Sequence, residues 1–166
     1  EFGDNNALLL EQIREYAPDA ILLAGDMVVR MDPSTLDTAK TLLCTLAQTF
    51  PVFYSMGNHE SKMRAEGHVY QNEYLEYEAE LKKCGICFLT NEKTEVILAG
   101  NPFVINGLEL PLEYYHKPFS PALTAGKMAE LMGKPVSGAV NILLAHNPLD
   151  FDVHAEWGTD ISFGGH

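Results

Sequence analysis

The alternation of apolar and polar positions divides the chain into short helix-like and strand-like segments. Leu8, Leu9, Ile13 and Tyr16 recur at helical spacing. Asn5 and Asn6 stand ahead of them as cap residues and Pro18 behind as a stop, which predicts a first helix. Ala20–Ala24 is a compact apolar run and reads as a buried strand. Asp32, Pro33 and Ser34 open a second helix over Ser34–Thr49, with Leu36, Ala39, Leu43 and Leu46 inward. Pro51–Ser55 is the next strand, and Val69–Lys83 a third helix. The texture then changes. Ile86–Leu89, Glu95–Ala99 and Phe103–Asn106 read as successive strands of an antiparallel meander, with turn chemistry at Asn101-Pro102 and Asn106-Gly107. Glu109–Ser120 reads as a loop and Leu123–Met132 as a helix. Val140–Ala145 is a strand, Pro148–Glu156 a helix, and Asp160–Phe163 a last strand. Strands alternating with helices predict an α/β sandwich with partly parallel pairing, in one domain over residues 1–166.

Charge narrows the function more than the apolar fraction does. The chain carries 23 acidic against 11 basic residues, a formal net charge of −12. Phosphate backbones attract clustered Lys and Arg, so a nonspecific binder of long nucleic acid or of an anionic membrane is not expected. A phosphate-handling enzyme whose positive charge comes from bound metal is compatible with the same numbers. Cys44, Cys84 and Cys87 are odd in number, which predicts reduced thiols. The Cys84–Cys87 C-x-x-C pattern has no second pair to complete a zinc site and reads as a loop entering a strand. No apolar run is long enough to cross a membrane, and the opening residues do not read as a signal peptide.

One regularity points to chemistry. Four predicted strands each run into a metal-ligand residue type. Ala20–Ala24 leads to Gly25-Asp26, and Pro51–Met56 leads to Gly57-Asn58-His59-Glu60. Val140–Ala145 leads to His146, and Asp160–Phe163 leads to Gly164-Gly165-His166. In α/β sheets, ligands sit beyond the carboxyl ends of strands, where glycine permits a sharp turn. Asp26, Asn58, His146 and His166 make a set of O and N donors suited to Mn, Fe, Zn or Ni, with no sulfur required. Singly, Asp26 also fits a helix cap and His146 a turn histidine. An amide and an imidazole side by side in a glycine-initiated turn pack no core, so GNHE carries the functional reading.

These residues resemble the calcineurin-like metallophosphoesterases, whose motifs run D-x-H, G-D, G-N-H-[ED], a lone H, and G-H-x-H. The matching positions are Gly25-Asp26, Gly57-Asn58-His59-Glu60, His146 and Gly165-His166. The stretch from Ala145 to His166 further resembles a bacterial subgroup tied to membranes or exported. The resemblance implies an αββα sandwich of mixed sheets flanked by helices. Here it lacks the family's first strand with its D-x-H motif and whatever follows His166, so a piece of a longer protein is expected.

The resemblance also implies roles. Two divalent ions would hydrolyse a small phosphate ester through a hydroxide bridging them. Asp26 would bridge both ions, and Asn58, His146 and His166 would complete one of them. This chain would then hold at most one complete site, and by itself is expected to be inactive or weakly active. His59 would face substrate, as general acid or as a cation against the phosphate. Glu60 would orient that imidazole, or serve only as a carboxylate at a helix N-terminus. Arg30 and Arg64 are candidate phosphate contacts. His116, in an aromatic loop, is a candidate pocket wall unless that loop only packs on the sheet. His68 is surplus near the site mouth, and His154 is expected to face solvent. The competing function is a catalytically inactive scaffold of the same fold that binds a partner or ligand. The cysteines point to a reducing compartment and the subgroup resemblance to a membrane-facing one. Oligomeric state is not legible.

Overall fold

A computed structural model describes residues 6–116 and 118–166. Its elements are α1 (Ala7–Tyr16), β1 (Ile21–Ala24), α2 (Ser34–Ala47), β2 (Val52–Ser55), α3 (Asn58–Arg64), α4 (Gln71–Lys83) and β3 (Cys87–Phe88). They continue with β4 (Glu92–Leu98), β5 (Asn101–Leu108), α5 (Ala125–Met132), β6 (Val140–Ala145), α6 (Phe151–Trp157) and β7 (Ile161–Phe163). β1, β2 and β3 form one sheet in that order, parallel throughout. The second sheet runs β4-β5-β6-β7, antiparallel at its first pairing and parallel at the other two. Only the second sheet is mixed.

The two sheets face each other across Phe53, Leu89, Ile105, Ile142 and Leu144. On the outer face of the first sheet, α2, α3 and α4 bury Leu43, Leu46, Met63, Tyr74 and Leu81 against Tyr54 and Phe88. α5 and α6 cover the second sheet through Met128, Met132 and Val153. The result is the helix–sheet–sheet–helix layering expected. It explains why all four residues of β2 are buried: a parallel strand covered on both faces has no solvent side.

Several local expectations differ from what is observed. Leu9 and Ile13 pack inward from α1, but Leu8 and Tyr16 are exposed, because a ten-residue helix at the edge of the fold covers the core with one narrow stripe. Asn5, the other expected cap residue, lies outside the described residues. Residues 86–108 are not one meander. β3 joins β2 in the first sheet, and only β4 and β5 form a hairpin, in the second. α3 begins inside the GNHE motif itself, where seven residues are too few to show helical periodicity.

The cysteines are not all reduced. Cys44 near the end of α2 is disulfide-bonded to Cys84 just after α4. α2 and α4 lie side by side on one sheet face, which brings their C-terminal ends together, a juxtaposition that cysteine parity does not register. Cys87 is the free thiol and packs between the two sheets, on the opposite side of β3 from the disulfide. The C-x-x-C residues therefore do not pair.

Candidate metal centre

The four loops converge at one end of the sandwich because β1 and β6 pack against each other across it. The nearest oxygen or nitrogen donors of Asp26, His146 and His166 lie within 4.8 Å of one another. Asn58 joins them: its Oδ1 is 3.1 Å from His146 Nε2, and Asp26 Oδ2 is 3.2 Å from the same nitrogen. The residues named from the strand ends thus come together from both sheets.

The proton bookkeeping around His146 defines what the site accepts. His146 Nδ1 lies 2.7 Å from the Ala24 carbonyl, which can only accept, so Nδ1 carries a proton. In the neutral ring, Nε2 is then a bare lone pair facing a carboxylate oxygen and an amide oxygen. Three acceptors meeting without a donor require a positive charge between them, either a second proton on His146 or a cation. A backbone carbonyl holding the far nitrogen of a histidine is the usual support for a metal ligand. Burial pushes the His146 imidazole down, but the Asp26 carboxylate and the Ala24 carbonyl outweigh it and hold the group above its ordinary value. Burial likewise pushes Asp26 up, and hydrogen bonds from His146 and His59 with the charges of both rings bring it below its ordinary value.

Backbone packing leaves no slack. A Cβ on Gly57 would stand 2.9 Å from His146 Nδ1 and strike the Asp26 carboxylate. A Cβ on Gly165 would collide with the Ala24 carbonyl. Glycine at both places is a steric requirement of the loops crossing. Asp26 itself lies in the left-handed region, at φ 56°, a conformation that costs a non-glycine residue about 1 kcal/mol or more.

Glu60 holds that strained loop and also caps the N-terminus of α3, the second of its two expected roles. Its side chain is fully buried. Oε2 accepts from the Asp26 N–H at 2.9 Å and from the Gly57 N–H at 3.1 Å. Oε1 accepts from the Met27 N–H and the Tyr54 hydroxyl, both at 2.7 Å. The carboxylate therefore ties the β1 loop to the β2 loop and does not orient the His59 ring. Burial pushes it above its ordinary value, against the hydrogen bonds that favour the charged form.

His59 donates its backbone N–H to Asp26 Oδ1 at 3.0 Å. Its ring Nδ1 accepts the backbone N–H of Arg30 at 3.2 Å, which places the proton of the neutral ring on Nε2. Arg30 thus meets the site through its backbone, and its side chain is exposed. Arg64 lies beside the nearly buried Glu78 carboxylate, its Nε 3.7 Å away, and Lys82 pairs with the same carboxylate. His116 is exposed, whereas Tyr114 is buried against the second sheet and Tyr115 lines a cleft that also contains His166. Tyr115 lies 6.2 Å from the His146 ring and 6.3 Å from the His166 ring, centre to centre. Burial, then the charges of Glu109, Asp26 and Glu60, push its phenol far up, so its hydroxyl stays protonated. The only sequence signal for Tyr115 was its place in the aromatic run beside His116.

The surplus histidines separate. His68 closes a turn, its Nδ1 accepting from the Tyr70 N–H. His154 does not face solvent. It is buried in α6 with Nδ1 3.3 Å from the Ser162 hydroxyl on β7. The expectation that it faces solvent fails because α6 packs on the second sheet, with Val153 and Trp157 in the same cluster as Leu143 and Ala145.

The sequence matches the model of the calcineurin-like phosphoesterase family over residues 1–166, and the chain belongs to that family. The family is metal-dependent, and the clustered Asp26, His146 and His166 provide a candidate site for a metal. No match is found among curated proteins.

Proposed function

We propose that this protein hydrolyses a small phosphate ester at a divalent metal held by Asp26, Asn58, His146 and His166, with Asp26 the ligand it would share with a second ion. The observation that carries the reading is the meeting of Asp26 Oδ2 and Asn58 Oδ1 on His146 Nε2, where a cation can take the place of a second proton on the ring. A divalent ion there supplies Lewis acidity toward a phosphoryl oxygen and makes water a nucleophile near neutral pH.

The chain's own residues supply the rest. The Ala24 carbonyl keeps the proton on His146 Nδ1 and so keeps Nε2 available as a donor atom. Glu60 holds Asp26 in its left-handed conformation. His59, with Nδ1 occupied by the Arg30 N–H, presents Nε2–H as a hydrogen-bond donor for a phosphoryl oxygen. The acidic surface is consistent with a small substrate and not a long nucleic acid.

The test is metal content and turnover of p-nitrophenyl phosphate and bis-p-nitrophenyl phosphate by the full-length protein loaded with Mn. Turnover that depends on the metal is expected. Asp26→Ala should lose metal and activity together, whereas His59→Ala should lose activity and keep metal. Failure of the unaltered protein to bind metal or turn over either ester overturns the reading. Binding without turnover would favour a ligand-binding scaffold.

A further inference from the structure

A cleft of about 250 Å³ opens directly beside the metal cluster. Its walls include Tyr115, Ser120, Asn147, Pro148, Leu149 and His166. Two of these connect it to the centre. His166 belongs to the cluster and to the cleft, and the Tyr115 ring packs near both His146 and His166. Asn147 directly follows His146 and is buried, with its Oδ1 taken up by the Leu149 N–H. Leu149 is 58% exposed at the mouth.

The lining has a definite chemical character. Among the described residues it contains no Lys, Arg, Asp or Glu, and His166 supplies its only imidazole. A phosphate or carboxylate entering it would lose hydration without gaining a counter-charge from these described residues, which is unfavourable. A flat or aliphatic group would bury surface against Tyr115, Pro148 and Leu149. The volume lies below the roughly 300–1,000 Å³ of sites that enclose a whole drug-sized ligand, so it fits one part of a substrate.

From this we infer that the cleft is the subsite for the alcohol portion of the ester, and that it selects an uncharged aryl or short alkyl group over a second anionic group. This rests on the phosphoester reading above and adds the class of leaving group. Tyr115 and Leu149 would set the specificity, one as the inner wall and the other as the lip.

Affinity separates this from catalysis. Titration calorimetry on the Mn-loaded protein would compare phenylphosphonate, methylphosphonate and phosphonoacetate, which share the phosphonate head and differ only in what enters the cleft. Phenylphosphonate should bind at least about tenfold more tightly than methylphosphonate, as expected for burying a ring. Phosphonoacetate should gain nothing over methylphosphonate. The phenyl-to-methyl ratio should fall severalfold in Tyr115→Ala and Leu149→Ala and persist in Tyr115→Phe, which keeps the ring. Leu149→Lys should shift the preference toward phosphonoacetate, and metal content reports that each variant retains its centre. Equal affinity for the phenyl and methyl compounds in a protein that still hydrolyses esters would falsify the cleft assignment alone. Absence of both phosphonate binding and hydrolysis would overturn the cleft and the phosphoester reading together.

Discussion

Glu60 is the residue on which the two central loops depend, and it reaches one candidate metal ligand, Asp26, through that residue's backbone N–H. Its carboxylate serves four donors from Tyr54, Asp26, Met27 and Gly57. Glu60→Gln keeps the shape but turns an NH2 group toward two of them. Leaving buried donors unsatisfied should cost about 2–3 kcal/mol, read as a lower urea midpoint at unchanged slope. Because the same bonds hold Asp26, metal affinity should fall about ten- to a hundredfold in calorimetry. A loss of stability with unchanged metal affinity would show that Glu60 supports the fold but not the site. The motif GNHE was readable as a glycine-initiated turn at a strand end. What its glutamate does was not, since its partners at Asp26 and Met27 lie more than thirty positions away.

Two elements outside the site carry consequences of their own. The disulfide joins α2 to α4 across a sequence separation of 40. Closing a loop of that length restricts the unfolded chain, and its reduction should cost about 4 kcal/mol, measured as the shift in denaturation midpoint with and without reductant. In α6, burial holds the His154 imidazole below its ordinary value of 6.5. The unfolded chain therefore binds a proton that the folded chain resists, and stability rises with pH across this window. Stability should accordingly decline as pH falls below about 6.5 and stop declining once the folded group is also protonated. His154→Phe removes that contribution, so the difference between the two proteins' unfolding free energies should itself change between pH 7.5 and pH 5. A constant difference would mean that His154 is protonated as readily folded as unfolded.

For the molecule as a whole, the candidate metal centre is where the two sheets are joined. Asp26 and Asn58 come from the first sheet, His146 and His166 from the second. An ion that binds only the assembled set stabilises the entire sandwich by mass action, about 2.7 kcal/mol at a hundred times its dissociation constant. Mn should therefore raise the melting temperature of the unaltered protein, and chelation should reverse it. Asp26→Ala should melt at a temperature independent of Mn. The layering and the end of the fold that carries the site were legible from the chain, because buried strands and their glycine turns are local patterns. Asp26, Asn58, His146 and His166 could be named for the same reason: each follows its own strand directly. Contacts between segments distant in sequence had no local trace. The pairing of Cys44 with Cys84, the burial of His154, the approach of Arg64 to Glu78, and the placing of Tyr115 beside His146 and His166 all belong to that kind. Periodicity states which face of a segment is apolar. What that face meets is settled only when the helices pack on the sheets, and there the partners of Glu60 and the wall of the cleft were decided.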